Sequence, residues 1–170
     1  MIKSFDRMKE RTFDRFLKLA LFSMAYWFFG NLYEEIVLIP NQLVNTLDAL
    51  NCWQSYFTFT DQLFYFVPCV LASVILTTIL FFKSKERLQR KLLKKATIFA
   101  MLAAGLSVII VNELNEKLFY GNLEDYKEQL QFLSALWMLG NAIRLCMVGI
   151  AMYYLFQTII YRKSRFRQEM

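Results

Sequence analysis

Histidine is absent from this sequence, and its 170 residues include only five glycines, two prolines and three cysteines. Imidazole is the commonest protein ligand for copper and non-haem iron and the usual general base near neutral pH. The sequence also has no CxxC pair, no glycine-rich phosphate loop and no nucleophilic serine elbow. We therefore expect neither a cofactor nor a metal site in this protein.

Apolar side chains are abundant instead: 57% of the residues are hydrophobic and 17% are aromatic. A soluble domain of this length cannot bury so much apolar surface, which favours a membrane protein. Four apolar segments, near 16–39, 62–82, 96–114 and 132–160, reach the roughly 20 residues that a helix needs to cross a bilayer. The predicted fold is an all-α integral membrane four-helix bundle.

Basic residues are distributed unevenly along the chain. Seventeen of the twenty lie in three segments, 1–18, 83–95 and 161–170, which share one side of a four-span topology. The opposite side carries most of the acidic loop residues. Because positively charged loops remain in the cytoplasm, we predict that both termini are cytoplasmic and that the two longer connections lie outside, as in a bacterial inner membrane.

This topology divides the chain into three parts. Residues 1–15 form a short amphipathic helix on the cytoplasmic surface, too charged for a cleavable signal peptide. Residues 16–160 form a single four-span transmembrane domain, and residues 161–170 form a basic cytoplasmic tail. We expect the basic segments to lie against anionic lipid headgroups, and we expect no nucleic-acid partner.

Acidic residues interrupt the first predicted span near its outer end. Within GNLYEEIVLIPNQL, residues 30–43, Glu34 and Glu35 lie about 8–9 Å inside the end of a helix that stops near Pro40. Asn31 is one turn away and shares part of their face. A carboxylate at this depth is costly unless it is paired. We therefore predict that Glu34 points into the bundle.

The fourth predicted span contains the matching cation. Arg144 lies about 18 Å from the start of this helix, close to the bilayer centre, and Asn141 precedes it by three residues. An arginine cannot lose its proton there, so it needs an acidic partner. Because helical side chains lean toward the N-terminus of their helix, this guanidinium is expected to reach toward the outer end of the bundle.

The end of the third predicted span, VNELNEKL at 111–118, adds further polar groups at the same depth. We predict one polar cluster in which Glu34, Glu35 or Glu113 neutralises the guanidinium and the asparagines complete the hydrogen bonds. Two interpretations remain open: a buried ion pair that only sets helix register, and an outward-facing pocket for a small ligand. The predicted ligand-binding residues are Asn31, Glu34, Glu35, Asn112, Glu113, Glu116, Asn141 and Arg144.

Four short patterns resemble the anthrone-oxygenase-like family of small four-span membrane proteins. They are Gly30 and Pro40 in the first span, LFYFVP at 63–68, the pattern of Asn112, Asn115 and Leu118, and WMLGNAIR, which places Trp137, Asn141 and Arg144. The resemblance implies a four-helix bundle with a polar site among the outer helix ends and, in some members, oxidation of aromatic polyketides. Where the family usually has a histidine in the fourth span, this chain has Asn141.

Three functions are compatible with these features. The first is a membrane protein whose outward-facing polar pocket binds a small lipophilic or anionic ligand, with Arg144 holding an anionic or carbonyl group. The second is a membrane enzyme that modifies a lipophilic small molecule, with Glu34 or Glu113 as base. The third is a homo-oligomeric pore or scaffold component in stress or defence. A carboxylate-only metal site of Glu34, Glu113 and Glu116 is a further alternative.

Two features of the outer loops leave alternatives open. Residues 51–66 are rich in aromatic side chains, which predict either interfacial anchors or a lid over the site. Cys52 and Cys69 both lie near the outer face, where a disulfide can form. Alternatively, these two and Cys146 are unpaired thiols packed among apolar groups.

Overall fold

The computed structural model of the protein describes the backbone of residues 2–168 and the side chains of residues 10–165. Within these residues every element is helical and no strand is present. The elements in chain order are α1 (Ile2–Tyr33), a first π-helical segment (Glu34–Leu38), α2 (Ile39–Val44), α3 (Thr46–Tyr56), α4 (Gln62–Lys83), α5 (Arg87–Ile110), a second π-helical segment (Val111–Tyr120), a 3₁₀ segment (Leu123–Gln129) and α6 (Leu130–Gln168).

Three helical stretches in the described part of the chain are long and apolar enough to cross a membrane: Gln62–Lys83, Arg87–Tyr120 and Leu123–Arg165. They correspond to the second, third and fourth predicted spans. The first predicted span is not among them, because Lys18, Asn31 and the adjacent glutamates interrupt its apolar run. The all-helical class and three candidate spans are therefore confirmed.

The four long helices pack in a closed order in which α1 contacts α4, α4 contacts α5, α5 contacts α6 and α6 contacts α1. All four consequently face one interior. We call the end that contains Asp48, Asp61 and Glu124 the acidic end, and the end that contains residues 83–95 the basic end. α1 and α5 run toward the acidic end, and α4 and α6 run away from it.

The predicted boundaries at residues 15 and 160 do not coincide with helix ends. α1 runs unbroken from Ile2 to Tyr33, and α6 continues to Gln168. No glycine or proline lies near either boundary, and a helix that has started gains one hydrogen bond with each further residue. The side chains of residues 1–9 and 166–170 lie outside the described residues, so the amphipathic and tail character of these segments stays a prediction.

The sequence predicted that the first long helix stops near Pro40, but the helix does not end there. The helix changes to the wider π geometry at Glu34, and Pro40 occupies the first turn of α2. The backbone is helical on both sides of this position, so the missing proline N–H removes one internal hydrogen bond from a helix that nevertheless continues. α2 and α3 then lie over the acidic end, where α3 contacts the second π segment and both helices contact α6.

Buried apolar side chains form two separate clusters. On α1 the members recur every three or four residues, which is the spacing of one helical face. The basic-side cluster contains Leu17, Ala20, Met24, Trp27, Leu80, Leu93, Ala96, Ala100, Ala103, Val148, Ala151 and Leu155. The acidic-side cluster contains Ile39, Leu50, Ile110, Leu114, Leu118, Phe119, Leu123, Leu130, Leu133 and Trp137.

Polar contacts join three helices at the basic end. The Nε atom of Arg162 on α6 donates to Oδ1 of Asp14 on α1 at 2.7 Å, and its Nη1 donates to Oε1 of Gln89 on α5 at 3.2 Å. Tyr161 also donates its hydroxyl to Glu86 at 2.9 Å. These contacts hold α1 and α5 against the last turns of α6.

The packing of the basic-side cluster predicts opposite responses at two adjacent positions of α5. Ala100 is fully buried, whereas Met101 is 53% exposed on the outer surface of the bundle. We expect Ala100→Phe to destabilise the protein by about 1–3 kcal/mol, because the cluster has no room for a ring. Met101→Phe, the matched control, should leave stability unchanged. Thermal unfolding in mild detergent measures both, and equal melting temperatures would contradict this packing.

Candidate functional site

A layer of polar side chains separates the two apolar clusters. Asn141 and Arg144 lie between the part of α6 that joins the acidic-side cluster and the part that joins the basic-side cluster. Residues 31–35 occupy the corresponding interval near the end of α1, and Ser107 occupies it on α5. We call Asn31, Glu34, Glu35, Ser107, Asn141 and Arg144 the polar layer. Three chain segments therefore contribute to it.

The guanidinium of Arg144 is the centre of the polar layer, and this residue is only 7% exposed. Its Nη2 donates to Oδ1 of Asn31 at 2.8 Å and to Oδ1 of Asn141 at 2.5 Å. Its Nη1 donates to Oγ of Ser107 at 3.4 Å. The guanidinium carbon also lies 6.0 Å from the ring centroid of Phe66. Both terminal nitrogens are thus engaged by neutral groups.

Glu34 is the acidic partner of Arg144, which was one of the pairings predicted from the sequence. Its Oε2 lies 3.7 Å from Nη2 of Arg144, and the residue is 3% exposed. At this distance the two charges attract each other, but the contact is too long for a hydrogen bond. Oε2 has no hydrogen-bond partner among the described residues. The carboxylate is therefore buried and electrostatically balanced, yet one of its oxygens accepts no hydrogen bond.

Glu35 also reaches the polar layer. Its Oε2 accepts a hydrogen bond from Nδ2 of Asn141 at 2.8 Å, and the same amide approaches the backbone oxygen of Asn31 at 3.4 Å. Consecutive residues of an α-helix point about 100° apart, but the wider π turn that begins at Glu34 reduces that angle. Two adjacent carboxylates can therefore face one arginine.

The third stretch of predicted site residues does not join the polar layer. Asn112, Glu113 and Glu116 are exposed, and Glu113 lies 3.9 Å from Lys117 on the surface. Their segment buries its apolar face, and residues two positions from a buried leucine point to the opposite side of a helix. The expected pairing of Arg144 with Glu113 is consequently absent, and the three carboxylates of the alternative metal site do not converge.

Asn115, which lies in the same segment, has a structural role. It is buried, and its Oδ1 accepts a hydrogen bond from Nε1 of Trp137 at 2.8 Å. This contact links the second π segment to α6 one turn above Asn141. The pattern of Asn112, Asn115 and Leu118 thus places only its last two members in the interior.

A cavity of about 600 Å³ adjoins the polar layer between α1 and α4 at the acidic end. Eight of the fifteen lining residues are aromatic, six of them on α1 and α4, and Glu34 is the polar-layer residue that lines it. Several lining residues of α1 are also exposed at the outer surface, including Phe22 (69%) and Phe29 (59%). The cavity therefore opens sideways, toward the surface of the bundle.

Close packing of α1 and α4 shapes this cavity. A Cβ atom at Gly30 would lie 2.7 Å from Cε1 of Tyr65 and 2.8 Å from Cε1 of Phe66, so only glycine permits the observed approach. The ring of Tyr65 stacks on that of Tyr26 with centroids 4.3 Å apart. Tyr65 and Phe66 belong to the LFYFVP stretch at 63–68. This stretch carries part of the family resemblance, but the sequence did not predict a cavity there.

α3 and the connection that follows it contribute a further part of the wall. Trp53 and Phe57 line the cavity, whereas Tyr56 and Phe59 are 79% and 94% exposed. This part of the chain thus covers part of the site and also presents aromatic groups of the kind found at membrane interfaces. The thiols of Cys52, Cys69 and Cys146 are all free in the structure.

Three comparisons with known proteins complete the description of the site. No protein-family model, no curated protein and no solved structure matches this chain. The resemblance to the anthrone-oxygenase-like family therefore stays a prediction.

The pairing of Glu34 with Arg144 predicts a strong energetic coupling between these residues. Arg144→Gln alone should destabilise the protein by about 3–5 kcal/mol, because it leaves a buried carboxylate without its cation. In the double variant Glu34→Gln/Arg144→Gln no charge remains in that pair, so it should be less destabilised than the sum of the two single variants. We expect this difference, the coupling energy, to be about 0.5–3 kcal/mol. Unfolding in mixed micelles measures it.

Glu113→Gln provides the matched control for this cycle. Combined with Arg144→Gln, it should give additive effects to within about 0.5 kcal/mol, because the two side chains share no partner. Coupling of Arg144 to Glu113 but not to Glu34 would refute the observed geometry.

Proposed function

We propose that this chain crosses the membrane four times, with both termini in the cytoplasm, and binds a small lipophilic molecule in the cavity between α1 and α4. The observation that carries the proposal is an aromatic cavity whose wall includes a buried carboxylate. The location expected from the sequence, a bacterial inner membrane, is part of this proposal.

The packing of α1 supports a fourth span. α1 contacts α4, one of the three candidate spans, and α6, which forms most of another. Its Leu19, Phe22 and Phe29 are at least half exposed, as expected for side chains that face lipid. The glutamates that lower its mean hydropathy are turned inward, where Arg144 and Asn141 contact them. Internal pairing of this kind makes such a span tolerable in a bilayer.

The dimensions of the cavity support a small ligand. Its volume of about 600 Å³ falls within the range of roughly 300–1,000 Å³ that is typical of ligand pockets. Such pockets combine apolar walls with a few polar groups that orient the ligand. Here aromatic rings form much of the wall, and the polar groups include Glu34, Thr60, Asp61 and Gln62. A sideways opening suits a molecule that arrives from the lipid phase.

The geometry favours Glu34 over Arg144 as the group that contacts the ligand. Arg144 does not line the cavity, and both of its terminal nitrogens already donate hydrogen bonds within the polar layer. Oε2 of Glu34 has no such bond. The anionic ligand considered from the sequence would lie next to carboxylates, which repel it. A lipophilic ligand without negative charge is therefore the better fit.

The proposed topology predicts which face of the membrane exposes each end of the bundle. Cys52 is exposed at the acidic end, and Ser164 is exposed at the basic end. In a variant whose only thiol is Cys52, a membrane-impermeant maleimide should label intact cells. A variant whose only thiol comes from Ser164→Cys should react only after permeabilisation. The reverse pattern would overturn the orientation.

Ligand binding in the cavity predicts saturable photolabelling by a small uncharged alkyl diazirine. We expect labels on the cavity-lining turns of α1 and α4, and excess unlabelled alkane should compete for them. Ala25 lines the cavity, so Ala25→Trp should fill it and reduce the saturable labelling about tenfold, equivalent to roughly 1.4 kcal/mol. Ala142→Trp, at a similarly half-buried position of α6, is the control. Uniform, non-saturable labelling of all four helices would refute a cavity ligand.

A further inference from the structure

The polar layer carries more negative than positive charge. Glu34 pairs with Arg144, the one cation of the layer, whereas Glu35 contacts Asn141. Glu35 accepts a hydrogen bond from the neutral amide of Asn141 rather than from a charged group. One carboxylate of the pair therefore lacks a cation of its own. Unpaired charges are costly away from water. A positively charged ligand could therefore balance the excess carboxylate of the polar layer.

Asp61 adds a second negative charge at the mouth of the cavity. Its Oδ1 accepts from the backbone N–H groups of Leu63 and Phe64 at 2.8 and 3.4 Å, and its Oδ2 accepts from the hydroxyl of Tyr120 at 2.6 Å. All three donors are neutral, so they fix the carboxylate without cancelling its charge. Among the described residues, no lysine or arginine lines the cavity.

The aromatic walls favour the same kind of ligand as the carboxylates do. Aromatic rings carry negative charge on their faces, so they attract a cation placed over them, most strongly where water is excluded. The stacked rings of Tyr26 and Tyr65 lie beside Gly30, next to the turn that carries Glu34. Phe66, another lining residue, already lies 6.0 Å from the guanidinium of Arg144.

We propose that the cavity binds a lipophilic cation, an alkyl- or arylammonium compound, whose ammonium group contacts the carboxylate of Glu34 and whose apolar body lies among the aromatic rings. This inference rests on the proposed function and specifies its ligand class. An ammonium group would supply the positive charge that the polar layer lacks, and a primary or secondary amine would also donate a hydrogen bond to that carboxylate. An apolar ligand would do neither.

Two sources share this chemistry. One is a free lipophilic amine, and the other is the choline or ethanolamine headgroup of a phospholipid that enters from the side. Both present an ammonium group and an apolar body, and the phospholipid carries an anionic phosphate between the two. The residues of the cavity recognise the ammonium group and the apolar body, which both sources have. A competition experiment with short-chain lipids distinguishes the two sources.

A pair of probes that differ only in charge tests the ligand class. 4-Phenylbutyltrimethylammonium is compared with its carbon isostere, in which a tert-butyl group replaces the ammonium. Titration calorimetry of the full-length protein in an uncharged maltoside detergent gives both affinities. We expect the cation to bind at least about tenfold more tightly, the preference that cation–π and carboxylate contacts in a desolvated site produce.

Variants of the glutamates test which residue causes the preference. Glu34→Gln should lower the affinity ratio of the two probes, because the amide keeps the shape of the side chain but removes its charge, and only the smaller preference due to Asp61 and the aromatic rings then remains. An unchanged ratio would overturn the role of Glu34. Glu34→Asp, which retains the charge, should keep a ratio above one and provides a second reading if the amide variant folds poorly. Glu113→Gln is the matched control on the exposed surface, and its ratio should equal that of the unmodified protein.

The outcomes separate the ligand class from the proposed function. Equal affinities for the two probes, with binding lost in Ala25→Trp, would overturn the cation while leaving the lipophilic cavity intact. Absence of saturable binding for both probes would overturn the cavity function as well.

Competition by short-chain lipids identifies the source of the cation. Displacement of the cation by phosphatidylcholine alone would indicate a lipid headgroup, and displacement by no lipid would indicate a free amine. Equal displacement by phosphatidylcholine and phosphatidylglycerol would show that acyl chains decide binding, and this too would overturn the inference.

Discussion

The attraction between the guanidinium of Arg144 and the carboxylate of Glu34 determines how the rest of the interior is arranged. An arginine keeps its charge in every environment that a protein offers, so this side chain must be met by acceptors wherever the helix carries it. Asn31, Asn141 and Ser107 supply those acceptors from three helices. α1, α5 and α6 are thereby held in one register, and the apolar core is divided into two clusters.

The same arrangement produces the candidate site. The first π segment places Glu34 beside Arg144 and Glu35 beside Asn141, which leaves the layer with an excess carboxylate. Gly30, one turn earlier, lets the rings of α4 approach closely enough to form an aromatic wall beside that carboxylate. Register, charge excess and cavity shape therefore arise from neighbouring positions on one segment. Because π-helical turns are frequent at functional sites, their occurrence at Glu34 agrees with a role in binding.

Part of the site could be predicted from the sequence because a charged side chain inside an apolar helix bundle needs a partner of opposite charge at a similar depth. Arg144 within an apolar run required an acidic partner at similar depth, and Glu34 was one of the available candidates. The spacing of Asn141 and Arg144 also placed both on one face of α6. Asn112, Glu113 and Glu116 of the third span do not reach the polar layer, since polar residues in a short stretch do not reveal which face turns inward. Burial of Leu114 and Leu118 decided that rotation and left Glu113 exposed.

The sequence by itself determined the helical class, the positions of three candidate spans and the need to pair Arg144, because these depend on composition, on the length of apolar runs and on charges close along the chain. Tertiary structure alone decided that Ser107 joins the polar layer, that both glutamates reach it, and that a cavity opens between α1 and α4. Those features depend on the rotation and separation of helices. Rotation and separation are set by contacts between residues far apart in the chain, such as Gly30 with Tyr65, and no local pattern encodes them.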